Sequence, residues 1–176
     1  MEHKGVLRNI CGYIFYIILA VVFALVFRTY VFARTTVTGP SMQPTFHDKD
    51  SIFLEKVSTE TGHISRGEIV TFNSKDENND DYIKRVIGIA GDKVEIKDGK
   101  VYLNGQLLSE DYLPEGIVTE PNSLITQYTI PEGYIFVLGD NRGNSTDSRM
   151  LGPINLKDIK GHVILRVYPF NNIKAF

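Results

Sequence analysis

Apolar residues follow two rhythms along this chain, and the change between them divides it. Residues 10–27 read ICGYIFYIILAVVFALVF, a run without a charge or a proline. At about 1.5 Å of rise per helical residue it nearly crosses a hydrocarbon core of roughly 30 Å, and continuing through Tyr30, Val31 and Phe32 completes the span. The pattern predicts one transmembrane helix over 10–32 behind a short tail at 1–9. A cleavable secretory signal is the alternative, since Lys4 and Arg8 precede the run. The stretch exceeds the ~7–15 residues of a signal core, however, and stays bulky up to Arg28, which favours an uncleaved anchor. Tyr13, Tyr16 and Tyr30 suit the membrane interfaces. Lys4, Arg8 and the α-amine stand against Arg28 and Arg34, a slight preference for a cytoplasmic N-terminus with residues 33–176 on the extracytoplasmic side.

Beyond the run, alternation with a period of two takes over. Residues 51–57 and 68–72 carry strand patterns with one buried face. Between them and the next strand, 73–81 reads NSKDENNDD and has no apolar residue, which predicts a solvated hairpin tip. A calcium loop would need oxygen ligands at set spacing around a glycine turn, and the glycine is missing. Residues 82–89 return as a β-branched strand with Lys84 and Arg85 on opposite faces, so one of these cations lies against apolar surface. A strand lysine ordinarily snorkels to water. If Lys84 is instead desolvated, its pKa falls and it can act as a base, which Arg85 cannot do at any accessible pH.

Two Xaa-Gly pairs, Asp98-Gly99 and Asn104-Gly105, predict primed turns joining 92–97, 100–103 and 106–108 into a meander. Residues 109–127, with Pro114, Gly116 and Pro121, read as a surface connection. Residues 134–138 are apolar on both faces, a buried strand that feeds into the polar, turn-prone stretch 139–149. Loops placed after a core strand often carry function. The same stretch also reads as a surface loop held by its own hydrogen bonds and an Asp147–Arg149 ion pair. Residues 161–168 read as a closing strand before a short polar tail to Phe176. The fold class is mostly β, built from antiparallel sheets.

Composition narrows the chemistry. Nineteen Lys+Arg against 21 Asp+Glu leaves a net charge of −2, so nucleic acid is not an expected partner. The single cysteine, Cys11, lies in the apolar run and excludes an intrachain disulfide or a thiolate cluster. His3, His47, His63 and His162 are spread without metal-ligand spacing, and no metal or other cofactor is expected. Chemistry is sought instead in Gly39-Pro40-Ser41-Met42-Gln43-Pro44-Thr45-Phe46. A serine nucleophile needs a positioned base, exposure and nearby N–H donors. Gly39 leaves backbone room for a substrate, and Pro40 and Pro44 stiffen the segment around Ser41. Alone, such an octapeptide is more often only a turn.

Four stretches taken in order carry a resemblance. They are residues 41–46 (SMQPTF), 66–72 (RGEIVTF), 82–88 (YIKRVIG) with Ala90-Gly91-Asp92, and Gly139-Asp140-Asn141-Arg142 with Ser145, Asp147, Ser148, Arg149 and Gly152. Together they resemble the type I signal peptidases, membrane-anchored Ser-Lys proteases that remove signal peptides from exported preproteins. The resemblance implies Ser41 as nucleophile, Lys84 as general base, Ser145 as the hydroxyl that positions the lysine, and Asp147 with Arg149 as a supporting ion pair. Asp140 and Arg142 follow as structural supports. It implies a partly closed antiparallel barrel, preprotein signal peptides and membrane lipid as partners, and shallow pockets for small residues walled by Val37, Met42, Tyr82 and Ile83. Where some members carry a serine two residues before the nucleophile, this chain has Gly39, so oxyanion donation falls to backbone N–H groups including that of Ser41. Gly39 and a single span resemble the Gram-positive type. Rival expectations are a self-cleaving Ser-Lys repressor-type peptidase, which usually carries a DNA-binding domain ahead of the dyad, and a membrane-tethered β-domain that only binds peptides.

Overall fold

The computed structural model describes residues 12–25, 31–60, 62–77, 79–122 and 124–176. Period-two alternation becomes β-structure nearly everywhere it was expected. The strands in chain order are β1 (Phe32–Thr36), β2 (Ser51–Glu55), β3 (Ile69–Asn73), β4 (Asp81–Gly88), β5 (Lys93–Lys97), β6 (Lys100–Leu103), β7 (Gln106–Leu107), β8 (Gln127–Thr129), β9 (Tyr134–Leu138), β10 (Ile154–Asn155), β11 (Ile159–Tyr168) and β12 (Lys174–Ala175). The larger sheet runs β1-β2-β11-β3-β4-β9-β10, with β12 paired to β11, and the smaller runs β7-β6-β5-β8. Every pairing is antiparallel.

The polar stretch after β3 is the tip of the β3–β4 hairpin, in which Val70 faces Lys84 and Ile69 faces Arg85. In the meander, Asp98 and Gly99 have φ of 52° and 73°, and Asn104 and Gly105 have 53° and 81°. Positive φ at both central positions is the primed geometry whose twist matches that of the strands.

Two expectations are corrected. The larger sheet is open: its end strands β1 and β10 do not pair with each other, so the partly closed barrel is not formed. β10 offers only two residues for a ladder, and the cavity described below opens against Ala33, Thr35 and Thr36 of β1. The tail is likewise not merely polar, because it forms β12 and places the Phe176 ring 4.6 Å from that of Phe46.

Among the described residues no helix is long and apolar enough to cross a membrane. Residues 12–25 are helical, with 13–25 exposed. The span expected over 10–32 falls partly, and the tail at 1–9 wholly, outside the described residues.

Apolar side chains gather in three clusters. One joins Val37, Met42 and Phe46 to Ile52, Leu54, Ile69, Ile83 and Val163. The next alternate positions of β3 and β4, Val70, Phe72 and Val86, pack with Ile135, Val137 and Ile154. The third seats the meander on the larger sheet through Ile87, Val94, Val101, Tyr128, Phe136 and Leu138. β4 contributes to all three, so a side chain on it is held from every direction.

Candidate functional site

The segment around Ser41 is fixed at several points. Val37 N donates to Asp50 O at 2.8 Å, and Lys49 N donates back to Val37 O at 2.9 Å. Gly39 sits at φ +86°, a conformation that L side chains rarely adopt, and its N–H donates to Asp48 Oδ1 at 3.0 Å. Gln43 N bonds to Pro40 O and Phe46 N to Met42 O, which coils the chain just after Ser41. Met42 and Phe46 are fully buried and pin this coil to the core. No intramolecular acceptor takes the Ser41 N–H among the described residues.

From the other side comes the loop after β9. Asn141 donates through its backbone N–H to Ser41 O at 3.0 Å and through Nδ2 to Pro40 O at 3.1 Å. Gly139 makes this approach possible, since a Cβ built there would lie 2.6 Å from both Ser41 O and Ser145 Cβ. Asp147, fully buried, takes Arg149 Nε on one oxygen at 2.8 Å, and Arg149 Nη2 at 2.8 Å with Gly139 N at 3.0 Å on the other. It also caps a short helix, α2 (Ser148–Leu151), where α1 is the helix at 12–25. Arg149 Nη1 reaches Arg142 O at 2.9 Å and Glu120 O at 3.1 Å. Ser148 Oγ accepts from Val137 N, tying the loop to the strand that launches it. The loop is thus an internally bonded scaffold rather than a solvated surface turn.

Five cationic side chains are buried among the described residues: Lys84, Arg85, Arg142, Arg149 and Arg166. Four have carboxylate partners. Arg85 grips Asp140 with Nε at 2.9 Å and Nη2 at 2.7 Å, and Arg149 grips Asp147. Arg142 Nη1 reaches Glu110 Oε2 at 3.1 Å, and Arg166 Nη1 reaches Asp50 Oδ2 at 3.1 Å. Lys84, 3% exposed, has no ion-pair partner; Nζ donates to Ser41 Oγ and to Ile83 O, each at 2.9 Å. Burial disfavours the charged form of an amine. Burial therefore pushes the Lys84 pKa down to about 8, against the opposing pull of Asp147 and Asp140. A guanidinium could not respond in this way, because it stays protonated whatever surrounds it.

A cavity of about 860 Å³ opens over this pair. Val37, Gly39, Ser41, Tyr82, Ile83, Lys84 and Ser145 line it. Met42 does not: it lies beneath, in the core. Asp140, Arg142, Asp147 and Arg149 stay behind the wall as the scaffold described above. Ser145 Oγ is buried without a hydrogen-bond partner among the described residues, so the bond expected between it and Lys84 is not made. Gly139 and Asn141 stand in the resembling block without an assigned contact, Arg85 was one of two candidates for burial but without a partner, and nothing in the pattern marked Arg166 as a buried clamp. A glycine directly after an apolar strand was the one visible signal.

The family described as "Signal peptidase, peptidase S26" matches residues 10–168. The chain belongs to this family. Signal peptidase I of Bacillus licheniformis is 42% identical over 166 residues, covering 90% of this chain and 88% of that protein. Signal peptidase IB of Staphylococcus aureus (strain COL) is 35% identical over 181 residues, covering 95% and 94%. A crystal structure of a signal peptidase I from Enterococcus faecalis V583 is 38% identical, covers 56% of this chain and 95% of that one, and has a TM-score of 0.48. The chain is accordingly a serine protease of the peptidase S26 family, with Gram-positive relatives.

Proposed function

We propose that the protein is a membrane-anchored endopeptidase that removes signal peptides from exported preproteins, with Ser41 as nucleophile and Lys84 as general base. The observation that carries this reading is the 2.9 Å contact between Lys84 Nζ and Ser41 Oγ, made by the one buried cation without an ion-pair partner among the described residues. Once Lys84 loses its proton, the same contact lets the Ser41 hydroxyl donate to the amine lone pair. Attack on the scissile carbonyl forms the Ser41 O–C bond as the hydroxyl proton moves to Nζ. Collapse breaks the C–N bond, and the ammonium returns that proton to the leaving amine. Water, deprotonated by the same amine, then clears the acyl-enzyme. The unengaged Ser41 N–H supplies a donor for the oxyanion. Val37, Tyr82 and Ile83 wall the space for small residues before the cut, and Ser145 Oγ offers an acceptor for a third Nζ donor.

The apolar run at 10–27 makes anchorage part of this reading. A signal peptide is itself apolar and presents its cleavage site at the bilayer surface, where tethering raises effective concentration. Preprotein cleavage in detergent tests the assignment, read from the new N-terminus. Ser41→Ala abolishes it, and Lys84→Arg fails as well because guanidinium stays charged. Substantial cleavage by either variant removes the mechanism.

The pH dependence has a definite sign. The base works when neutral, so kcat/KM rises tenfold per unit on the acid side and levels off above about 8. A bound substrate deepens the burial of Nζ, so the corresponding step in kcat lies at lower pH. A rate that falls through pH 8 from the acid side would contradict the assignment.

A further inference from the structure

We propose that Phe176 and Arg166 form a second clamp on the nucleophile segment, at its Thr45–Phe46 end, and so serve as positioning residues for Ser41. The inference rests on the reading of Ser41 as nucleophile. Arg166 lies on β11 and is 3% exposed. Its guanidinium ties three segments together. Nη1 donates to Thr45 O at 2.7 Å and to Asp50 Oδ2 at 3.1 Å, and Nε donates to Asn172 O at 2.8 Å. The first contact holds the coil that follows Ser41, the second the entry to β2, and the third the segment that turns back toward the site.

That returning segment is strapped down by β12, in which Ala175 pairs with Leu165 and Lys174 with Arg166, and by Phe176 N donating to Ile164 O at 3.1 Å. It delivers the Phe176 ring to the Phe46 ring, 4.6 Å between centroids and tilted at 44°. Phe46 is fully buried and Phe176 is 39% exposed, so Phe176 is an outer cover on the coil's anchor. Arg166 Cζ lies 5.6 Å from the Phe46 centroid and 5.9 Å from that of Phe176, which completes the stack. Thr45 is held twice: its carbonyl by Arg166 and its hydroxyl by Asp140, the partner of Arg85 beside Lys84.

The coil from Ser41 to Phe46 has a single turn of hydrogen bonds of its own, through Phe46 N and Met42 O. Its orientation is therefore set by the burial of Met42 and by what grips its two ends. The Asn141 clamp grips Ser41 and Pro40, and the Arg166–Phe176 clamp grips Thr45 and Phe46. Loosening the second lets the hydroxyl wander from Nζ while leaving the amine, its burial and the cavity walls in place. A displacement of about 1 Å at a reacting atom can cost roughly a hundredfold in rate.

The test uses the full chain in detergent with a preprotein substrate. Phe176→Ala lowers kcat at least tenfold with KM changed less than twofold, and leaves the pH midpoint of kcat/KM where the unaltered protein has it, because Lys84 is untouched. Phe176→Tyr, which keeps the ring, restores kcat. A folded Phe176→Ala protein with unaltered kcat overturns the proposal, as does a loss that disappears well below the melting temperature. If Phe176→Ala does not fold, Phe176→Leu keeps apolar cover without the ring and is read by the same criteria. Ser41→Ala runs alongside: activity in that variant sinks the nucleophile assignment, whereas its inactivity beside a fully active Phe176→Ala sinks the clamp alone.

Discussion

At pH 7, Lys84→Met abolishes cleavage and raises the melting temperature. Both effects have one cause. The amine is held at about 8 in the folded chain against 10.5 ordinarily, so the unfolded chain binds the proton more tightly. Below pH 8 the folded state bears the full cost of burying the ammonium, about 3 kcal/mol for a shift of this size. As pH rises from about 8 to about 10.5 the folded amine sheds its proton first, and stability rises with pH across that window. Methionine fills similar space with no charge to desolvate. Allowing about 1 kcal/mol for the lost hydrogen bonds, the variant gains about 2 kcal/mol at pH 7. That corresponds to roughly 4–8 °C. Denaturation at pH 7 and above pH 10.5 checks this. The advantage of methionine shrinks or reverses at the higher pH, and an equal difference at both would mean that Lys84 is not a buried, destabilised cation.

The second large effect comes from one methyl group. Gly139→Ala places a Cβ 2.6 Å from the Ser41 carbonyl oxygen and 2.6 Å from Ser145 Cβ, well inside contact distance. The carbonyl is backbone, so no rotamer change relieves the overlap. Either the Ser41 segment or the loop after β9 must move, and both hold the site. Overpacking of this kind costs about 1–3 kcal/mol in stability. The displaced hydroxyl costs roughly a hundredfold or more in kcat/KM. Circular dichroism and thermal denaturation report whether the fold survives, and steady-state cleavage reports the rate. A folded Gly139→Ala protein within threefold of normal activity would mean that the two segments are free to separate.

How much of this was legible in the sequence depends on the range over which each feature is decided. Strand positions follow from alternation, a local property, and the meander follows from two dipeptides. β8 was not visible: three residues with no strong pattern become a strand because β5 pairs with them, Lys93 against Thr129. The helix α2 was hidden because Asp147 caps it within a stretch rich in turn formers. Period-two reasoning required one of Lys84 and Arg85 to be buried. Both are, because Asp140, 55 residues along the chain, neutralises the arginine. The same long range hid Arg166, whose acceptors on Thr45 and Asp50 lie 121 and 116 residues earlier in the chain. The absence of barrel closure is decided by strand length at β10, a feature that alternation cannot measure over two residues.

The buried arginine–carboxylate pairs carry one more implication. Mobile ions screen charges that face water over about 8–10 Å at moderate ionic strength and act far less on pairs sealed in the interior. The guanidinium–carboxylate pairs behind the cavity, Arg85 with Asp140 and Arg149 with Asp147, are almost wholly out of water. The geometry around Ser41 and Lys84 therefore tolerates wide swings in salinity, and sodium chloride should alter turnover mainly through the detergent or lipid that carries the substrate.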